Sequence, residues 1–360
     1  MQKMFELGYY KEEHIKDFIR EDKMKNIVIV GSGWRSLFFV RVIKAMPDKF
    51  RLLAMLTRSE ETALRVASEN GIYVTTNEKE CVDLNPDLVV VATSKTNIVD
   101  TAIKWANYGF EVLMETPAGI SEEDFSKFET CNCKDKISVA EQYHRYPIYQ
   151  AIKSVLETGI LGNINDMVMS LCHDYHAVSL MRFFFGNIDG AKVLFNTEYP
   201  INVLETGNRG GVKYDGSLKE YKRSIALLEF SANRHATYDF SSLLYHTEIA
   251  NQSLTIRGSL GEYKDGEFIF AKEVKNTASV DEIHKEIVEK YRYCKEKLEI
   301  HYSASEVEKI CFRGKCLWIN PYLNLGFGND EIAIADLLLG KSKYSLDFAI
   351  EDARLGLALH

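Results

Sequence analysis

Between residues 26 and 140 the apolar positions follow two alternating rhythms. Short continuous runs, such as Ile27-Val28-Ile29-Val30, Phe50–Leu56 and 87–92, have the β-branched and aliphatic composition of strands buried on both faces. Between them apolar residues recur every three or four positions. This predicts helices over 37–43, Glu60–Asn70, 78–82 and 97–108, the last with Gly109 as its C-cap. Further strands at 72–74 and 111–114 complete the alternation of an α/β, doubly wound parallel sheet. Beyond Pro147 a helix is predicted over 148–158 and a strand over 167–171. Later strands follow at 224–230, 236–240 and 252–257, with helices over 281–299 and 330–338 and a closing helix over 348–357. That half reads as an α+β domain with an open, mostly antiparallel sheet and helices on one face. Ahead of the first strand, Ile15, Phe18 and Ile19 form one apolar stripe over 12–20. The expected division is therefore a helical extension at 1–24, an α/β domain at 25–146 and an α+β domain at 147–360. The closing helix is placed to pack back on the α/β domain.

A chain of 360 residues exceeds the usual single core, in line with two domains. A net charge of −8 argues against nucleic acid as the main partner, because binding phosphates along a strand needs a basic field. The start MQKMFELGYYKEEH has no early apolar stretch of the secretory kind, and no apolar run reaches the ~18–20 residues of a membrane span. Seven cysteines without framework spacing fit a reducing cytoplasm. Cys131 and Cys133 form only a CxC in a polar loop, and no metal site is expected.

The stretch NIVIVGSGWRS, residues 26–36, joins the first strand to the first helix through Gly31, Ser32 and Gly33. In that context Gly31 makes the tight turn. Gly33, lacking a Cβ, admits a pyrophosphate to the backbone N–H groups of the helix start, beside Trp34 and Arg35. The third position of the fingerprint is Ser36 rather than glycine. The second strand ends in Thr57-Arg58-Ser59, with no carboxylate until Glu60. An acid there would repel a 2′-phosphate, whereas Arg58 and the hydroxyls would hold one, so NADP is expected over NAD. Thr93-Ser94-Lys95 follow the fourth strand at its carboxyl end, where a dinucleotide lies in such sheets.

Residues 25–150 resemble the nucleotide-binding half of the Gfo/Idh/MocA oxidoreductases. The shared features are the glycine turn, the ATSKTN loop, the helix ending in glycine and a strand running into Glu115-Thr116-Pro117. The family usually reads Glu-Lys-Pro there, with the lysine near nicotinamide and substrate. The segment ISVAEQYHRYP, residues 137–147, looks like the family's sixth strand and its crossover into the second domain. Further on, His176 stands ten residues before Gly186, the family's histidine-to-glycine spacing, while Cys172 and Ser179 occupy the places of the usual acids.

The resemblance implies a Rossmann domain followed by an α+β domain. It also implies hydride transfer between a nicotinamide cofactor and a secondary alcohol or ketone of a sugar, cyclitol or related polar small molecule. His176 is the candidate acid–base group, because imidazole titrates near neutral pH. Tyr175 is its candidate helper, and Lys95 a candidate replacement for the missing lysine. Glu115, Thr116 and Pro117 would lie near the nicotinamide ribose, and Tyr143, His144 and His173 near the substrate. A homo-oligomer, dimer or tetramer, is expected through the open sheet. The departures at Thr116, Cys172 and Ser179 keep a non-catalytic nucleotide-binding sensor in view. Within enzymes, a C=N or conjugated-bond reductase and an NAD-dependent glycosidase stay open.

Overall fold

The computed structural model describes residues 24–360 apart from 187, 189, 209, 214, 272–292 and 342. The stripe predicted over 12–20 lies outside the described residues. The chain divides into two compact units, one ending at Ala92 and the other running Thr93–His360.

The first unit contains β1 (Lys25–Val30), α1 (Trp34–Ala45), β2 (Phe50–Leu56), α2 (Glu60–Asn70), β3 (Val74–Thr75), α3 (Glu78–Asp83) and β4 (Leu88–Val91). Its strands lie in the order β4-β1-β2-β3, all parallel. Ile27, Val28 and Ile29 of β1 and Val89, Val90 and Val91 of β4 are fully buried, as continuous apolar runs in a sheet covered on both faces should be. The third strand begins two residues later than the apolar run at 72–74 suggests.

The second unit opens with α4 (Ile98–Asn107), β5 (Val112–Met114), α5 (Glu122–Glu129), β6 (Ile137–Val139) and α6 (Pro147–Leu156). β7 (Ile164–Ser170) and α7 (Asp174–Phe185) follow. Then come β8 (Lys192–Leu204), the small pair β9 (Gly207–Asn208) and β10 (Gly211–Val212), β11 (Leu218–Phe230), β12 (Arg234–Ser241), β13 (Ser253–Gly258), β14 (Gly261–Lys264) and β15 (Glu267–Ala271). The remainder is β16 (Tyr293–Lys297), β17 (Glu299–Ser303), β18 (Glu306–Phe312), β19 (Lys315–Ile319), α8 (Asn329–Leu339), β20 (Tyr344–Ser345) and α9 (Leu346–Leu357). β5 and β6 are parallel, with β20 antiparallel on the edge of β6.

An eight-stranded sheet has the order β16-β15-β14-β13-β7-β12-β11-β8 and is antiparallel except between β7 and β12. One face presents Met167, Met169, Ala226, Leu228 and Tyr238 to a core shared with Ile152 and Val155 of α6 and Val178, Met181 and Phe184 of α7. The architecture is α/β: parallel Rossmann-type strands with helices, and a second, mostly antiparallel sheet.

The helix predicted over 281–299 is corrected. Residues 281–292 lie outside the described residues, but Tyr293–Lys297 form β16 and pair antiparallel with β15. Exposure there alternates residue by residue, so ladder pairing overrides a charge-rich sequence that has good helix propensity. β8 was not expected from the sequence. It is exposed along most of its length and lacks the apolar run that marks the buried strands.

Candidate functional site

In the first unit, the turn from β1 into α1 is shaped for an anion. Gly31 sits at φ +112°, where side chains are disfavoured, and its N–H donates to the Leu56 carbonyl at 2.9 Å. Gly33 is the N-cap of α1, and a Cβ built on it would meet nothing within 4 Å. α1 begins with no side-chain cap and no acid in its first turn, whereas α2, α3, α5 and α8 all carry acids there. The positive end of the helix dipole is thus left for an external anion, which fits a dinucleotide pyrophosphate.

Ser36 is fully buried, its hydroxyl reaching the Ala92 carbonyl at 3.4 Å, so a small side chain serves at the third fingerprint position. Trp34 packs edge-on to Phe38, and the Arg35 guanidinium lies over the same ring. Thr57 Oγ1 lies 3.0 Å from Ser32 Oγ, tying the end of β2 to the glycine turn. Arg58 is exposed. The Ser59 hydroxyl caps α2 by accepting the Thr62 N–H. Glu60 accepts from the Thr76 hydroxyl, so the first acid after β2 is held by another partner.

In the second unit, the start of α7 gathers rings and charges. His173 is the N-cap, and Asp174 takes φ +45°, a strained value that Asp tolerates better than most residues. The Asp174 carboxylate accepts from His360 Nε2 at 2.7 Å and from the Tyr238 hydroxyl at 3.3 Å. Gly356 of α9 passes so close that a Cβ would lie 2.6 Å from the Tyr175 nitrogen. One turn into the helix, His176 is 5% exposed, and its Nδ1 stands 2.7 Å from Glu141 Oε2. Glu141 is 2% exposed, and its other oxygen accepts the Tyr143 N–H at 3.1 Å. Burial pushes the Glu141 carboxyl up, but the His176 charge and hydrogen bond outweigh it and hold the group below the usual carboxylate range. Glu141 is therefore an acceptor, and His176 turns Nδ1 towards it.

The rings of Tyr143, Tyr175 and His173 surround His176 at 4.7, 4.3 and 4.9 Å between centroids. His173 is held between two phenols, Nδ1 to Tyr245 at 2.7 Å and Nε2 to Tyr175 at 3.2 Å. Burial, followed by the His176 charge, pushes it down to about 3, so it is neutral at ordinary pH. Burial raises the Tyr175 phenol far above its usual range, which makes it a hydrogen-bond donor rather than a base. Lys95 Nζ stands 5.8 Å over the Tyr175 ring and adds to the field that keeps His173 neutral.

Thr116 donates its N–H, at 3.0 Å, and its hydroxyl to the buried Glu115 carboxylate, and is also a hydrogen-bond partner of Tyr175. The Thr116–Pro117 peptide is cis. The Thr93 hydroxyl oxygen is buried without a hydrogen-bond partner, and Ser94 bonds Thr96. His144 stands apart from this cluster, between Phe183 and Tyr344, with burial pushing it down to about 4.

His173 and Asp174 also border an open cleft of about 720 Å³, lined further by Tyr221, Phe240, Ser241 and Tyr245. The buried Ser241 hydroxyl has no hydrogen-bond partner. His176 does not line this cleft, but its neighbour His173 does. Among the described residues no three His, Cys, Asp or Glu side chains converge as a metal site requires. No described helix is long and apolar enough to cross a membrane.

Residues 25–141 match the model of a family described as "Oxidoreductase family, NAD-binding Rossmann fold", the Gfo/Idh/MocA group. The matched segment runs from β1 to just beyond β6. A curated relative, Oxidoreductase P35 of Formosa agariphila, is 24% identical over 117 residues, which is 31% of this chain and 36% of the relative. A levoglucosan dehydrogenase solved with NADH and levoglucosan has a TM-score of 0.64 at 16% identity, covering 94% of this chain and 96% of that one. A myo-inositol dehydrogenase of Corynebacterium glutamicum gives 0.58 at 16% identity over the same shares. The WlbA dehydrogenase of Bordetella pertussis, solved with NADH and UDP-GlcNAcA, gives 0.51 at 18% identity over 67% of this chain and 78% of that one. At these identities the solved structures show a shared fold.

Set beside the Gfo/Idh/MocA sequence pattern, the departures have physical content. Cys172 is a fully buried thiol that burial keeps protonated, and the Ser179 hydroxyl donates back to the His176 carbonyl at 2.9 Å. Neither can serve as a carboxylate for the histidine. Glu141 does so instead, from the carboxyl end of β6, and sequence reading assigned it no role. Its position just beyond a parallel strand was the available signal, since ligand-side residues gather there.

Proposed function

We propose that this protein is an NAD(P)-dependent dehydrogenase acting on a secondary alcohol or ketone of a sugar, cyclitol or similar polar ring. The observation that carries the reading is the buried Glu141–His176 pair, which fixes one imidazole tautomer and offers Nε2 as a base. Gly31, Gly33 and the start of α1 suit the pyrophosphate. When bound, the nicotinamide supplies the hydride chemistry. His176 Nε2 takes the hydroxyl proton during oxidation and returns it during reduction, and Glu141 stabilises the imidazolium formed. Tyr175, neutral and hydrogen-bonded to His173 and Thr116, orients the hydroxyl. Lys95 supplies positive charge that Thr116 lacks. Arg58, exposed beyond β2 with no carboxylate beside it in sequence, favours NADP, and Ser59, the cap of α2, meets the adenosine ribose with it.

The test is a fluorescence titration with NADPH and NADH, followed by a nicotinamide absorbance screen of sugars and cyclitols. Wild-type protein is expected to bind NADPH more tightly. Arg58→Ala is expected to lose roughly tenfold in NADPH affinity with NADH unchanged, and His176→Gln to bind nucleotide without turnover. Retention of the NADPH preference in Arg58→Ala would remove the NADP assignment. Thr116 in place of an ammonium favours one second reading, a nucleotide-binding sensor without turnover. Tight nucleotide binding with no absorbance change across the whole screen would select it.

A further inference from the structure

A small cavity lies beside Glu141. Its volume is about 10 Å³, which by the usual measure is room for one water. Its walls include Thr116, Glu141, Tyr175, Tyr344 and Asp352, so two carboxyl groups, two phenols and a hydroxyl surround it. A water needs two to four polar partners, and this lining supplies them.

Asp352 lies on α9 and is 2% exposed. Arg182 of α7 reaches one of its oxygens through Nε at 3.0 Å and Nη2 at 2.9 Å, and the Tyr344 hydroxyl donates to the other. The same Arg182 also binds Glu351 at 2.5 Å. Arg182 would therefore stay paired if Asp352 became neutral. The charged and titratable groups facing Asp352 are Arg182 from α7, Tyr344 from β20, Glu141 from the segment after β6, and Glu351 through Arg182. Burial, reinforced by the Glu141 charge and opposed by Arg182 and Tyr344, pushes Asp352 up to about 7.

We propose that one water in this cavity links Glu141 to Asp352, making Asp352 a positioning residue whose charge is felt by the Glu141–His176 pair. The inference rests on reading His176 as the proton-handling group. In the forward direction the substrate hydroxyl proton moves to His176 Nε2 while Nδ1 stays hydrogen-bonded to Glu141. The imidazolium is stabilised by Glu141 and, through the water, by an ionised Asp352. In reduction the proton returns from Nε2 to the substrate oxygen.

The test is an NMR titration of the imidazole nitrogens of the full chain between pH 5 and 9, with His176→Gln used to identify the His176 signals. Wild-type His176 is expected to show, besides its own titration, an inflection near pH 7 set by Asp352, and Asp352→Asn is expected to lose it. Tyr344→Phe keeps the carboxyl but removes a donor to it, and is expected to move that inflection upward by roughly half to one pH unit. Identical His176 curves in wild type and a folded Asp352→Asn overturn the proposal. If Asp352→Asn does not fold, an inflection unmoved in Tyr344→Phe overturns it instead. The measurement needs neither nucleotide nor turnover, so its failure leaves the dehydrogenase reading standing, and a failed substrate screen leaves the coupling standing.

Discussion

At the residue scale, the proposed chemistry depends on a carboxylate that arrives from 35 positions away. Glu141→Gln preserves shape and hydrogen bonding but no longer stabilises an imidazolium or selects one tautomer. Its turnover is expected to fall by on the order of 10²–10⁴-fold with little change in KM, as in other systems where a histidine loses its carboxylate partner. Steady-state kinetics on a substrate found in the absorbance screen will measure this. His173 and Asp352 make opposite contributions to stability against pH. His173 is held near 3 when folded and titrates near 6.5 when unfolded. Between those values the unfolded chain binds more protons, so its contribution is lost as pH falls, at up to about 1.4 kcal/mol per unit. Asp352, near 7 when folded and about 3.9 unfolded, binds its proton preferentially in the folded state, so its contribution is lost as pH rises through that window. Thermal melts from pH 4.5 to 8 are expected to show a shallower acid-side loss in His173→Gln and a steeper one in Asp352→Asn. Spacing to Gly186 made His176 legible in the sequence. Glu141 was not, because only tertiary packing brings the end of β6 to the first turn of α7.

At the element scale, the site depends on how closely α9 meets the start of α7. With backbone 2.6 Å from its missing Cβ, Gly356 cannot take even a methyl group without moving Tyr175. Gly356→Ala is expected to lower stability by about 1–3 kcal/mol, read as a fall in melting temperature, and to perturb the His176 resonances. A substitution that only improved helix propensity would raise stability instead. The elements themselves differ in how clearly the sequence announced them. β1 and β4 are buried on both faces and read as apolar runs, and α8 and α9 kept their period. β8 and β16 draw their order from partners across a ladder, so their own residues carried little signal.

At the scale of the whole molecule, one face of the second unit's large sheet is exposed at β8 and β11 among the described residues. Phe195 and Leu227 pair across the strands there, 57% and 36% exposed. Such an exposed apolar pair suits a second copy of the chain. Light scattering is expected to give a multiple of the 41.1 kDa chain mass, and Phe195→Lys to shift it towards the monomer. A monomeric wild type at micromolar concentration would refute this.

The link between Ser32 and Thr57 has a consequence for anyone wishing to exchange one nucleotide for the other. The usual route to an NAD-preferring variant places an acid where β2 ends. Here the residue at that end is itself the clasp on the glycine turn. Thr57→Asp would replace the hydroxyl that meets Ser32 with a carboxylate beside the turn proposed to receive the phosphates, and its charge would oppose theirs. Under the proposed function, a redesign of nucleotide preference therefore begins at Arg58, whose side chain is exposed.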